Sequence, residues 1–323
     1  KTMRLTAFSK FLIVLLVVVA AFFAFQYFLA DEPLIPVENE DTTEETTSDD
    51  RSVDLESTFN FTPPAPENGT PKGVVELGAS GFNSFIVEID EEKHWDLKKA
   101  EFGASLVYEN MASSTDIREG LKKYIANMLN YGVAGKDIHF VVSSGAARSE
   151  QVEKISAELK KLGYVVNPVT PEKEGQLALR CVLPDAYKSD AFVVDIGSSN
   201  TKVSWMENGA AKSFETFGSK YFQRNVSDEQ VYDMVTEMAA QIPNDRRLVC
   251  FIIGGAAFDL AKTHRNGEER YTVLKAPGDY DAEEAKTKAG INIYKALRDA
   301  TGCDTFVFDW DANFTIGFLL TLD

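Results

Sequence analysis

The sequence predicts an α/β protein of two similar halves that meet at a cleft, preceded by one transmembrane helix. Three observations carry this reading. After Gly73 the apolar periodicity alternates between short strands and helices, which gives mixed sheets flanked by helices. The stretch GVVELGASGFNSFIVEID, residues 73–90, shares a plan with FVVDIGSSNTKVSWMENG, residues 192–209. In each, an apolar run ends in an acid, then glycine and small hydroxyl residues, then a returning apolar run. Finally, residues 11–30, FLIVLLVVVAAFFAFQYFLA, hold one polar member, Gln26. As a helix that run is about 30 Å long, the thickness of a bilayer core.

Lys1, Arg4 and Lys10 precede the apolar run, and Asp31, Glu32, Glu38 and Glu40 follow it. The positive-inside rule then puts residues 1–10 in the cytoplasm, a single span at 11–30, and the main domain outside the cytoplasm. Residues 31–71, rich in Thr, Ser, Pro and acids, read as an extended linker too poor in large apolar side chains to fold. Two halves follow, 72–190 and 191–323.

In the first half, Ile117, Leu121, Ile125 and Met128 fall on one helix face. FVVSSG, from Phe140, reads as a strand ending in small polar residues. The helix after it places Val152, Ile155, Leu159 and Leu162 inward and stops at Gly163. In the second half a helix from about Asp228 to Gln241 turns Val231, Val235 and Met238 inward. RLVCFIIGGAAF is then an apolar strand that breaks at Gly254-Gly255.

The chain has 33 basic and 50 acidic residues, a net charge of −17. That balance argues against a nucleic-acid polymer as partner, since such a groove needs clustered Lys and Arg. Cys181, Cys250 and Cys303 lie far apart without C-x-x-C spacing, so they read as small apolar core residues. His94, His139 and His264 show no metal-ligand spacing.

The two hairpins carry the chemistry. Gly78 and Gly197 permit unusual backbone angles and the close approach of a ligand. Backbone N–H and hydroxyl groups at such tips can cradle phosphate oxygens. The adjacent carboxylate, Glu76 or Asp195, can hold a hydrated Mg²⁺ or orient a water. Two facing hairpins would clamp a phosphate chain. On pattern alone, each tip also fits an ordinary glycine-containing turn.

VVDIGSSNTKVSWMENG resembles the second phosphate loop of the actin-like ATPase superfamily, and FIIGGAAFDLAK its later Gly-Gly strand–turn–helix. More narrowly, FVVSSGAARSEQ, VVNPVTPEKEGQLALRCVLP and FVVDIGSSNTKV, in that order, are similar to the exopolyphosphatase/guanosine pentaphosphate phosphatase (Ppx/GppA) family. The resemblance implies two ribonuclease H-like domains around an interdomain cleft, hydrolysis of phosphoanhydride bonds, and Mg²⁺. It also implies a polyphosphate or nucleotide-type phosphate ligand. Carried over, Arg148 would pair with phosphate, Glu174 would orient the water, and Asp195 with Glu76 would hold the metal. The phosphate set would be Gly78, Ser80, Ser84, Ser144, Gly197, Ser198, Ser199, Thr201, Gly254 and Gly255.

The departures from that pattern matter. Glu76 stands where the family has Asp, Lys173 replaces one glutamate of a pair, and Lys202 sits where an acid is usual. Plainer roles also fit: Arg148 as a helix cap or surface ion-pair partner, Lys202 as a solvated strand residue. Two alternatives to the hydrolase therefore stand. One is a weak or inactive actin-like binding or scaffold module at the membrane. The other is an apyrase-like nucleotide phosphohydrolase, although apyrases are longer and disulfide-bonded. A homodimer is kept open as a further partnership.

Overall fold

The computed structural model describes residues 59–78, 81–102, 114–147 and 149–322. The expected span at 11–30 lies outside them. No helix among the described residues is long and apolar enough to cross a membrane.

The first sheet is built on the hairpin of β1, Thr70–Gly78, and β2, Gly81–Ile89, with β3, Trp95–Phe102, at its edge. β4, Ile138–Val142, runs parallel to β1, and β5, Val166–Pro168, lies beyond it. Helices α1, Ser114–Tyr131, and α2, Glu150–Lys161, connect the later strands. The order is β3-β2-β1-β4-β5. Helix α3, Pro171–Val182, then leads to a second meander of β6, Ala191–Ile196, β7, Asn200–Glu207, and β8, Ala210–Phe217. There follow α4, Asp228–Ala239, β9, Val249–Ile253, α5, Gly255–Ala261, and β10, Tyr271–Val273. The chain closes with α6, Ala285–Thr301, β11, Thr305–Asp309, and α7, Phe314–Leu319.

The second sheet runs β10-β11-β9-β6-β7-β8. Read from β8 and without β10, its order β8-β7-β6-β9-β11 repeats that of the first sheet. The echo between the two hairpins is thus one repeat of a whole sheet. Central strands β6 and β9 are buried along their full length, which is why they read as continuous apolar runs. One apolar cluster joins the halves: Val74, Phe85 and Val141 of the first sheet meet Val193, Phe251 and Val307 of the second around Leu177 of α3 and Ile316 of α7. The two helices approach so closely that a Cβ on Gly317 would lie 1.9 Å from the Leu177 carbonyl oxygen. A second tie is polar. Arg270 donates to both oxygens of Asp309 at 3.1 and 3.2 Å, while its guanidinium stacks 4.3 Å from the ring of Trp95 on β3.

The structure departs from the periodicity in three places. Leu162 caps α2 and is 40% exposed, because the chain turns away at Gly163, whose φ is +86°. In α4 the inward positions are Val231, Val235 and Ala239, with Met238 half-buried. The linker expected to residue 71 is folded from Phe59 onward. Phe59 packs edge-on against Phe251 at 5.6 Å and Tyr271 at 5.5 Å, and Thr70 and Pro71 already pair with Ile89 and Glu88. Phe59 and Phe61 both pack against the apolar cluster that joins the halves, in a segment whose average composition is polar. The three cysteines are buried and free.

Candidate functional site

The registers of the two hairpins place the key side chains. Directly paired residues of an antiparallel ladder share a sheet face. Glu76 is opposite Asn83, and Asp195 is opposite Lys202. Both pairs line one chamber of about 210 Å³, together with Gly78 and Gly197 from the two turns, Glu174 from α3, Gly254 before α5 and Asn313 before α7. The glycines bring backbone against this floor. A Cβ on Gly254, whose φ is +99°, would lie 2.7 Å from Asp195 Oδ1, and one on Gly197 would lie 3.6 Å from Lys202 Nζ.

Lys202 and Glu174 form the buried heart of the site, with side chains only 4% and 2% exposed. Lys202 Nζ donates to Glu174 Oε1, and the Ser144 backbone N–H donates to Glu174 Oε2 at 2.8 Å. Burial works against the Lys202 charge, but Asp195 and Glu174 more than offset it and hold the ammonium above its ordinary pKa. Burial pushes Asp195 up to about 6, against the pull of Lys202. Glu76 is pushed up to about 7, chiefly by burial, with Glu174 and Asp195 adding repulsion. The side-chain amides of Asn83 and Asn313 oppose that rise, donating to Glu76 Oε2 at 3.0 and 3.1 Å. Near neutral pH Glu76 therefore divides between acid and carboxylate.

Two further lysines stand near the turns. Lys286 lines the chamber, 3.1 Å from where a Cβ on Gly255 would sit, and pairs with Asp259 at 3.2 Å. The backbone N–H of Lys220 donates to the Ser198 carbonyl at 2.9 Å. Its ammonium is held below the ordinary lysine range by burial and by the charge of Lys286.

Several expected residues fall elsewhere. Ser84 and Thr201 are buried on the opposite sheet faces from Asn83 and Lys202, and neither lines the chamber. Ser144 serves the wall: besides its N–H on Glu174, its hydroxyl accepts from Asn200 Nδ2 at 3.1 Å. Ser198, Ser199, Gly254 and Gly255 do line it. Arg148 and Ser80 lie outside the described residues. Lys202 is not a solvated strand residue. Lys173 is exposed and lines a separate cavity of about 830 Å³, because one step along a helix turns a side chain by about 100°. Hence Glu174 alone of that pair faces the chamber.

Mg²⁺ held by Asp195 and Glu76 does not fit this arrangement. Mg²⁺ wants near-octahedral oxygen ligands. Glu76 Oε2 already accepts two amide donors, which leaves a metal only Glu76 Oε1 and an Asp195 carboxylate that is paired in register with Lys202. Among the described residues no group of three His, Cys, Asp or Glu is placed to share a metal.

No protein-family model matches the sequence, and no curated protein matches it. Solved structures do. A crystal structure of the Aquifex aeolicus member of the Ppx/GppA protein family superposes with a TM-score of 0.60 at 17% identity, covering 78% of this chain and 97% of that one. The fold is that of the Ppx/GppA structures. A type II variant of the Aquifex aeolicus Ppx/GppA phosphatase gives 0.56 at 15% identity, over 78% of this chain and 99% of that one. An exopolyphosphatase-like protein gives 0.58 at 12% identity, over 79% and 98%. Such identities carry the architecture; the chemistry has to be argued from the chamber.

Proposed function

We propose that the chamber holds the terminal phosphate of a phosphoanhydride chain and hydrolyses it, in the manner of an exopolyphosphatase or guanosine pentaphosphate phosphatase. The observation that carries this is the convergence of two glycine turns, three acids and two lysines on one small cavity. At about 210 Å³ it is smaller than the roughly 300–1,000 Å³ of sites that enclose a drug-sized ligand. It suits a phosphoryl group, with the rest of the chain outside.

In this reading the turn of the second hairpin, residues 197–200, lies against the phosphate oxygens, and Lys202 and Lys286 offset their charge. Glu174, oriented by Ser144 and Lys202, accepts a proton from the attacking water. The bridging P–O bond breaks, and the leaving phosphate takes a proton from Glu76, which burial keeps partly protonated up to about pH 7.

A second reading has its own support. Both oxygens of Glu174 are engaged, one by Lys202 and one by Ser144, which suits a clamp that binds phosphate without turnover. Phosphate release from polyphosphate, ATP and GTP, each with and without Mg²⁺, separates the two. Release that falls about 10²–10³-fold in Glu174→Gln supports hydrolysis. No release from any of them, with a phosphate-induced rise in melting temperature, leaves the clamp.

The flanking charges of residues 11–30 support a single membrane anchor with the module outside the cytoplasm. Protease added to intact cells should then remove the module. Protection until lysis would reverse that orientation.

A further inference from the structure

We propose that Lys202 is the resident cation of this cleft, so that phosphate is captured without a divalent metal. The proposal rests on the phosphate-binding part of the function proposed above, and does not require turnover.

Three features carry it. First, the ammonium is built in. Lys202 is opposite Asp195 in the β6–β7 ladder, is paired with Glu174, and is 4% exposed, so its position is fixed by strand register as well as by charge. Second, it is aimed at the right place. Lys202 lines the chamber, and its Nζ lies 3.6 Å from the Cβ position of Gly197, whose turn shares the chamber with the first half's Gly78. An ammonium has three donors, and Glu174 takes one, which leaves donors for a phosphate oxygen beneath the turn. Third, part of the carboxylate set a metal would need is already engaged by donors. Glu174 accepts from Lys202 and from Ser144, and Glu76 Oε2 accepts from Asn83 and Asn313. A dication entering here would displace these donors and meet a fixed positive charge.

The test is a titration of the full chain with inorganic phosphate, which chelates Mg²⁺ weakly, followed by ³¹P NMR in EDTA and again in Mg²⁺. The wild type should bind with affinities within about threefold of each other in the two buffers. Lys202→Met should weaken binding in EDTA at least about tenfold, and Lys202→Arg, which keeps the charge, should stay close to wild type. Lys202→Glu should bind poorly in EDTA and recover in Mg²⁺, because it frees Glu174 and adds a carboxylate to the floor. Should Lys202→Met fail to fold, judged by circular dichroism, the wild-type comparison and Lys202→Arg decide alone. Binding that appears only with Mg²⁺ overturns the proposal while leaving a phosphate cleft. Absence of binding in both buffers overturns the phosphate cleft itself, and this proposal with it.

Discussion

Replacing Lys202 by Met tests whether the buried pair behaves as its geometry requires. Lys202 and Glu174 are 4% and 2% exposed, so neither can turn to water when its partner is removed. Breaking such a pair from one side typically costs about 3–5 kcal/mol, because a charge is stranded in the interior. Lys202→Met should reach the upper part of that range. It leaves Glu174 beside Asp195 and Glu76, whose ionisation the same neighbours already oppose. Glu174→Gln should cost less, about 1–3 kcal/mol, since Lys202 keeps Asp195 across the ladder. The double variant removes both charges and should be less destabilised than the sum, with a coupling of at least about 1.5 kcal/mol. Urea unfolding of the four proteins at pH 7, followed by far-ultraviolet circular dichroism, measures each term. A Lys202→Met variant within 1 kcal/mol of wild type, or a coupling near zero, would sink the reading of a buried ion pair.

Glu76 provides a pH signature. Its carboxyl is raised from 4.5 to about 7, so the folded state holds the proton more tightly than the unfolded chain. The associated stability is fully present below about pH 4.5 and is lost as pH rises through about 7, on the order of 3 kcal/mol. Glu76→Gln should remove that part of the slope, leaving the part due to Asp195, in unfolding curves taken between pH 4 and 8. A Cβ at Gly317 would overlap the Leu177 carbonyl, so Gly317→Ala should lose at least about 3 kcal/mol or give no folded protein, read by thermal melting. Phe59→Ala should cost about 2–3 kcal/mol by urea unfolding, since the ring closes an aromatic cluster with Tyr187, Phe251 and Tyr271. A neutral result there would return residues 59–71 to the linker.

Sequence pattern carried the architecture further than the site. Alternating periods located the strands and helices, and the paired hairpins disclosed the repeat, because buried central strands and glycine turns leave local marks in the sequence. Glu76, Asp195, Gly78 and Gly197 were legible for the same reason. Ser84 and Thr201 were misplaced by one strand position, although the register Glu76–Asn83 and Asp195–Lys202 is set by the turns themselves. Counting outward from each turn would have put Asn83 and Lys202 in the chamber. Asn313 and Lys286 had no such signal. They reach the floor and wall from the far end of the chain through α6 and α7, and only the packed fold brings them there. The docking of Phe59 was hidden by averaging, since a window scores composition while a cluster needs only one or two rings.

The departures from the Ppx/GppA-like pattern become coherent when they are counted as charge. An acid at position 202 together with a divalent cation would bring one negative and two positive formal charges, a sum of one positive. Lysine brings the same single charge in one covalent group. On the proposal that Lys202 is the resident cation, lysine would keep the balance against Glu174 and Asp195 and take the place of both the ligand and the ion. It also changes how the charge responds to a ligand. A hydrated ion can shift to follow a phosphate, whereas Lys202 is tethered to β7 and moves only by rotamer. On that proposal, binding would favour a phosphate that comes to a fixed point beneath Gly197 and would disfavour transition-state charge that travels away from it. The rate of release measured without metal then tells how far the cleft favours holding over turnover.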